Sequence, residues 1–452
     1  MSLNLTQATQ FKIKDLTLIT KLGSVNITGI YQEINIYDSV FMPCVRGDIL
    51  IQDAIGLSNK LLLDGSEYIS MEITKGEESG FQSNATTFKR TFRIYKLSGR
   101  ENVNQNSELY ILYFASDEMI YSEQQKINQS FTGTYSDIVN VVLKKYLSVP
   151  SKKINKVSTT KGVHTAIVPN LSPFDTIDWL CKKAIDSESL PNFLFFENKY
   201  GYNFISLSEL IQNPPIMDIN FEPKNFATSG DKEFYGAREA KIVSSTDLVE
   251  NIKNGVYAGK FIGIDPLTRK VSVNRIDFQQ TYGKTKSHLN KYPNFTGAVN
   301  KQGKDSAQMF DSKVSLYVFS SFRGSSPWIK KNDAITGTII DDTHAYVFQR
   351  APIFANLLQT TIHLNIPGNF GITSGAIINL IMPVKSTKPD AGEAIDETLS
   401  GKYIVTAARQ VIKGDMHETV IEVATDSTNR PFFKQLTSEL LAALKSTGTS
   451  LV

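Results

Sequence analysis

One short motif in the chain has the residue types of a nucleotide site. Gly283-Lys284-Thr285 matches the end of a phosphate-binding loop, in which the lysine and the hydroxyl serve phosphates and magnesium. That loop also requires a glycine five residues before Gly283, and this position is Phe278. The sequence therefore predicts no nucleotide site and no cofactor.

A second motif begins like a zinc site. His417-Glu418 opens the HExxH pattern, but the fifth residue is Ile421. The segment alternates like a strand, so a second histidine could not share a helical face with the first. We therefore interpret His417 as an exposed turn residue that enters a strand. The other histidines are isolated in sequence, and no GxSxG elbow is present. We predict no catalytic, cofactor-binding or metal-binding residue.

The charge balance argues against a nucleic-acid-binding surface. The 452 residues include 48 Lys and Arg against 45 Asp and Glu, a formal net charge of +3. Nucleic-acid-binding proteins normally concentrate basic residues on one face. We expect contact with DNA only where DNA passes by the protein.

The length of 452 residues allows about two to four domains.

Cysteine content and hydropathy predict a soluble protein. Cys44 and Cys181 lie far apart without a CxxC partner, which favours assembly in a reducing cytoplasm over a secreted disulfide scaffold. No signal peptide is recognisable at the N-terminus. The most apolar stretch, residues 376–384, is far shorter than the ~20 residues that span a bilayer. We expect no stable membrane association.

The first part of the chain alternates like β-strands. Between Tyr31 and Thr74 we predict a strand, a tight glycine turn at Gly47, a second strand, a loop and a third strand. In the third strand Ile69, Met71 and Ile73 share one face, which is typical of a half-buried strand. Short alternating runs separated by polar loops indicate a small barrel or sandwich.

The middle of the chain has helical periodicity followed by a hairpin. Residues 134–147 predict an amphipathic helix. A second helix should begin at Pro173, because Ser172 is a favoured N-cap and proline suits the first helical position. Two aromatic-rich runs in residues 192–206 predict a hairpin with a short glycine-containing loop.

Strand patterns return after the middle part and end before a last helical pattern. Two polar stretches, residues 278–310 and 385–400, predict loops. Residues 431–444 predict a helix whose apolar stripe should dock on a barrel or on a neighbouring protein. This possible partner-binding stripe is Phe433, Leu436, Leu440 and Leu444.

Three passages, in this order, resemble the baseplate hub proteins of contractile-tailed bacteriophages. They are residues 37–51 with Gly47-Asp48, residues 172–180 with the aromatic hairpin, and residues 368–380 with the strands near 401–405 and 419–423. The same fold family includes the N-terminal hub part of the valine-glycine-repeat spike proteins of type VI secretion. Together the passages span most of residues 10–427.

The resemblance implies a mainly β fold with an α+β insert. It would contain two tube-type antiparallel β-barrels, a helix–hairpin middle domain and a C-terminal helix. The implied division is a first barrel at 1–122, a middle domain at 123–232, a split second barrel at 233–277 and 350–427, an insertion at 278–349, and the C-terminal helix at 428–452.

The resemblance also implies a non-enzymatic function in the virion. Such a hub is assembled in the host cytoplasm and forms a homotrimeric ring that joins a sixfold tail tube to a threefold central spike. The implied partners are the spike protein, the tail tube or tube-initiator protein, and the tape-measure protein, with DNA only in transit. The alternatives are a hub or spike component of a type VI or extracellular contractile injection system, a receptor-binding virion protein, and a cell-wall hydrolase.

Overall fold

The structure, a computed structural model, is mainly β, which confirms the predicted fold class. It describes residues 11–61, 63–75, 87–104, 106–221, 236–243, 248–253, 255–265, 270–277, 288–293, 314–318, 349–384 and 395–430.

The first block is one antiparallel sheet that surrounds its own core. Its strands are β1 (Lys12–Thr20), β2 (Gly23–Asn26), β3 (Tyr31–Ser39), β4 (Arg46–Asp53), β5 (Tyr68–Thr74), β6 (Thr87–Asn104) and β7 (Ser107–Ala115). Two short helices accompany them: α1 (Leu57–Lys60) and α2 (Asp117–Glu123). The strand order is β3-β4-β7-β6-β5-β1-β2. The predicted alternation is confirmed in β5, where Ile69, Met71 and Ile73 are fully buried in one cluster.

Gly47 lies within β4 and not in a turn, so the predicted glycine turn was wrong. A Cβ at this position would lie 2.1 Å from Cζ of Phe114 and 2.3 Å from the carbonyl oxygen of Asn35. Such distances are far below van der Waals contact. The sequence has glycine here because the ring of Phe114 occupies the space of a side chain.

The middle part packs short helices against the predicted hairpin. Its elements are β8 (Ser130–Gly133), α3 (Tyr135–Val141), a π-helical turn (Val142–Tyr146), a 3₁₀ turn (Ser151–Lys153), β9 (Ile154–Val157), β10 (His164–Ile167), α4 (Pro173–Lys183), β11 (Phe193–Asn198), β12 (Gly201–Ser206) and α5 (Leu207–Ile211). The start of α4 is confirmed, because Pro173 is its first residue and the Ser172 hydroxyl accepts a hydrogen bond from the amide of Asp175.

The last part of the chain contains a second β block and a smaller sheet. The elements are β13 (Asp218–Phe221), β14 (Gly236–Ala237), β15 (Glu239–Ile242), β16 (Ala258–Asp265), β17 (Lys270–Asp277), β18 (Tyr292–Pro293), β19 (Val314–Val318), β20 (Thr360–Pro367), β21 (Ile377–Ile381), β22 (Gly401–Lys413), β23 (Met416–Thr425) and β24 (Ser427–Thr428), with α6 (Leu248–Lys253) and α7 (Arg350–Leu358).

The strands of the second block pair with one another in a closed ring. β13 pairs with β21, β21 with β22, β22 with β23, β23 with β20, and β20 with β15. Only Arg238 separates β15 from β14, and β14 pairs with β13. The enclosed side chains, which include Leu364, Tyr403 and Val423, form one buried cluster. β13 therefore belongs to this ring of strands, although it precedes residue 232; the domain division stays a prediction.

The two β blocks share a continuous sheet. Strand β22 pairs with β3 in antiparallel register from Ala407 opposite Ser39 to Lys413 opposite Glu33. This ladder joins residues that are more than 360 positions apart in sequence. It fixes the two blocks against each other through backbone hydrogen bonds, which are more directional than side-chain packing.

Parts of the predicted loops and the predicted C-terminal helix lie outside the described residues. This applies to residues 385–394, to most of 278–310, and to the stripe of Phe433, Leu436, Leu440 and Leu444. Residues 288–293 are described, and they are packed: Leu289 is buried, and the Asn290 side chain bonds to Thr425 and to the carbonyl of Lys402.

Gly47→Ala should destabilise the first block by about 2–3 kcal/mol, because the added methyl group forces the Phe114 ring out of its place. Gly29→Ala is the control, since no atom lies within 4 Å of the corresponding Cβ. Urea unfolding of both variants measures the difference. Equal unfolding midpoints for the two variants would contradict this account of Gly47.

Candidate functional site at the junction of the two β blocks

The β11–β12 hairpin is apolar on both faces and lies between two cores. Every residue of both strands is buried. On one face Phe195, Tyr202 and Phe204 pack into the core of the middle part. On the other face Phe196 and Ile205 pack against side chains of the second β block, among them Ile377, Ile404 and Ala424. The hairpin therefore has its own core and also binds the second block.

A buried carboxylate joins this hairpin to the first block. Glu197, next to the last residue of β11, has no exposed side-chain surface. Its oxygens accept hydrogen bonds from Nη1 of Arg90, from the Ser116 hydroxyl, and from the amide of Val45 at 3.0 Å. Lys153 Nζ lies 3.4 Å away. Burial raises the pKa of Glu197, but Lys153, Arg90 and these hydrogen bonds outweigh it and hold the pKa below its ordinary value.

Arg90 also holds the turn of the hairpin. Its Nη2 donates to the carbonyl oxygens of Asn198 at 2.7 Å and Lys199 at 3.0 Å. Arg90 lies on β6 of the first block, so a single guanidinium links that strand to the end of β11 and to the turn that follows. The planar fork of arginine suits this multiple contact better than an ammonium group does.

The same turn contacts the segment that precedes β21. The Asn198 side chain donates to the carbonyl oxygen of Ser374 at 3.1 Å. Thr373 and Ser374 in turn donate to the carboxylate of Asp38 on β3. Burial raises the pKa of Asp38 more than the hydrogen bonds lower it, so that its pKa is about 7. The first block, the hairpin and the second block therefore meet within a few residues.

His417 is fully buried, so its interpretation as an exposed turn residue was wrong. Its Nε2 lies 2.8 Å from Oε1 of Gln410, and its ring stacks on Phe370 with centroids 4.3 Å apart. The backbone of Gly368 also covers the imidazole ring, since a Cβ added to Gly368 would lie 2.1 Å from Cγ of His417. Burial, with a smaller contribution from the nearby Lys75 ammonium, lowers the pKa of His417 to about 3.

The sequence did contain a signal for the burial of His417. Along β23, His417, Thr419 and Ile421 occupy alternate positions, and all three are fully buried. Period two places them on one face. Because His417 and Thr419 are polar, this face does not look like a buried face in the sequence. In the structure, Oε1 of Gln410 is the acceptor for both side chains.

The remaining motif residues form no metal-binding group in the part of the chain that is described. No cluster of three or more His, Cys, Asp or Glu there could hold a metal ion. His288 pairs with Asp426 and His363 with Glu422, at 3.0 and 3.2 Å. Gly283-Lys284-Thr285 and His344 lie outside the described residues. None of the described helices is long and apolar enough to cross a membrane.

Solved structures of tail proteins share this fold over nearly their whole length. A tail protein from Neisseria meningitidis MC58 aligns over 92% of this chain and 97% of its own, with a TM-score of 0.52 and 10% identity. The 43 kDa tail protein of prophage MuSo2 from Shewanella oneidensis aligns over 92% of this chain and 99% of its own, with a TM-score of 0.51 and 9% identity. The protein therefore has a tail-protein fold.

The resemblance predicted from the sequence is thus confirmed as a resemblance of fold. A component of the type VI secretion system of E. coli aligns over 93% of this chain and 79% of its own at 9% identity, but its TM-score of 0.41 is too low to support an argument. Neither a protein-family profile nor a curated protein matches the chain.

Arg90→Met should destabilise the protein by about 3–5 kcal/mol, because it leaves the buried Glu197 carboxylate without its nearest cationic partner. Adding Glu197→Gln should recover part of the loss, since the unpaired charge is then removed. Lys182→Met is the control: it breaks an exposed pair with Asp178 and should cost under about 0.5 kcal/mol. Urea unfolding measures all three. A double variant less stable than Arg90→Met would refute this explanation.

The buried His417 should make stability depend on pH. Below about pH 6.5 the unfolded chain binds a proton at this residue, whereas the folded chain does not until about pH 3. The free energy of unfolding should therefore fall with falling pH in this window, by up to about 1.4 kcal/mol per pH unit. Between pH 6 and pH 5, the His417→Gln variant should lack this part of the dependence of stability on pH. The His363→Gln variant, which changes a half-exposed histidine, should keep it. Equal slopes for the two variants would contradict the assignment.

Proposed function

We propose that the protein is a non-enzymatic structural subunit of a tail baseplate hub. The observation that carries this proposal is the likeness of fold to two tail proteins, which extends over 92% of this chain and at least 97% of theirs. A match along the whole chain favours a shared architecture over a single shared domain. In the proposed role, three subunits form a ring that joins a sixfold tail tube to a threefold central spike.

The arrangement of the two β blocks supports the ring. A ring with six similar barrels needs two barrels per subunit at a fixed spacing. The second block closes on itself through β13 and β14, and the first block curls around its own core. The β22–β3 ladder and the β11–β12 hairpin hold the two blocks together. In the proposed ring, the second barrel of one subunit meets the first barrel of the next, and a head-to-tail interface between subunits gives a closed ring when its rotation closes.

The charge of the chain suits a channel that DNA crosses. The formal net charge is +3 over 452 residues. A lumen dense in lysine and arginine would bind phosphates and release counterions, which would hold the DNA in place. We propose that DNA meets this protein only in transit. The proposed partners are the central spike, the tail tube or its initiator, and the tape-measure protein, within a virion assembled in the host cytoplasm.

The copy number in purified particles tests the proposal. Quantitative mass spectrometry with isotope-labelled reference peptides should give three copies of this chain per particle, equal to the number of spike chains. The tail-tube protein from the same sample, expected in multiples of six, is the internal control. A copy number of one or six, or absence of the chain from particles with intact tails, would contradict the hub role.

A further inference from the structure

Asp38 lies where the first β block contacts the segment that precedes β21. Its carboxylate accepts hydrogen bonds from the Thr373 hydroxyl and from the amide of Ser374, the second at 3.3 Å. The amide of Ala408 on β22 also donates to it. All three donors belong to the second block, and none of them carries a charge. A carboxylate of the first block is therefore held by neutral donors of the second.

Arg90 is the cation whose charge reaches Asp38, where it lowers the pKa of the carboxyl. Its guanidinium, however, donates to Glu197 and to the carbonyl oxygens of Asn198 and Lys199. Asp38 therefore depends on a cation that is already bound to another carboxylate.

The other cations on the elements around Asp38 face elsewhere. Lys199, in the hairpin turn, has its ammonium 5.9 Å from the centroid of the Tyr200 ring. Arg409 on β22 lies on the opposite face of the sheet, where it donates to Asn35. Neither cation is among the main influences on the pKa of Asp38.

The carboxylates linked through Arg90 outnumber their cations. Glu197 bonds to Arg90, and Lys153 Nζ lies 3.4 Å from Glu197 and 2.5 Å from Glu118. With Asp38, three carboxylates therefore share two cations. An uncompensated negative charge is costly in a place that water reaches poorly. One bound proton makes this group of five side chains neutral, and such coupled acids take up protons as a unit.

Asp38 is the carboxylate best placed to hold this proton. The pKa of Glu197 lies below its ordinary value, whereas the pKa of Asp38 is about 7 because burial disfavours its charged form. The Thr373 hydroxyl can turn to accept a hydrogen bond from a protonated carboxyl. Oγ of Ser374 is buried and has no hydrogen-bond partner among the described residues, so a second acceptor lies on a residue that already contacts Asp38. Asp38 also keeps some contact with solvent, from which a proton can arrive.

We propose that Asp38 binds one proton near neutral pH and that this proton holds the segment of Thr373 and Ser374 against the first block. When Asp38 is ionised, its charge is hydrated better if this segment moves away and water enters. The protonated junction is therefore closed, and the ionised junction opens more readily. This assignment does not depend on the proposed hub role.

The direction of the effect follows from proton linkage. The pKa of Asp38 is about 7 in the closed junction, whereas a hydrated aspartate has a pKa of about 3.9. The closed form therefore binds the proton more tightly, and opening should become about tenfold more frequent when the pH rises from about 5 to about 6. His417 contributes to stability with the opposite sign. Its contribution is common to the wild type and to an Asp38 variant, so the difference between the two isolates Asp38.

Hydrogen exchange of residues 372–378 in the full-length protein tests the proposal. After correction for the intrinsic effect of pH on exchange, protection in the wild type should fall about tenfold from about pH 5 to about pH 6 relative to Asp38→Asn, which mimics the neutral acid. Asp396→Asn is the control and should behave like the wild type, because that carboxylate bonds to amides of its own loop. An equal pH dependence in the wild type and in Asp38→Asn would overturn the proposal.

Two further measurements locate the proton. Glu197→Gln should move the midpoint of the pH dependence down by about one pH unit or more, because Arg90 is then free to neutralise Asp38. An unmoved midpoint would contradict the sharing of cations. Infrared spectra of the wild type with carbon-13-labelled aspartate should show a protonated carboxyl band at about pH 6 that disappears at about pH 8. Absence of this band at the lower pH would overturn the proposal, whether or not the variants fold.

Discussion

The architecture depends on the placement of one buried negative charge. The carboxylate of Glu197 has no access to water, and an unpaired charge in such a place costs several kcal/mol. Its partners come from separate parts of the chain: Arg90 from β6, Ser116 from the residue before α2, Val45 from the residue before β4, and Lys153 from the middle part. This one carboxylate therefore links the first block, the middle part and the hairpin.

The hairpin transmits this arrangement to the second β block. Its β11 and β12 strands have no solvent-exposed face, since one side packs in the middle core and the other against the second block. Gly375, with a φ of +83°, brings the backbone so close to Phe196 that a Cβ would lie 2.8 Å from the ring. Together with the β22–β3 ladder, these contacts give the two blocks one relative orientation. A fixed orientation is what a subunit with two barrels in a ring requires.

Local features could be predicted from the sequence, whereas distant pairings could not. Strand alternation in β5, the Ser172 cap and the aromatic hairpin are encoded within a few residues, and all three are present. Arg90 and Glu197 are 107 positions apart, and no local pattern connects them. Gly47 was misread because a glycine within a strand and a glycine in a turn look alike in sequence; the difference lies in the ring of Phe114.

A reconstruction of the native particle around its axis tests the central claim most directly. The account predicts three subunits related by a threefold axis, each contributing two similar barrels that alternate around one pore. The middle part, with its helices and hairpin, should lie outside the wall of that pore. A subunit that contributes a single barrel to the ring, or density for this chain away from the axis, would contradict the account.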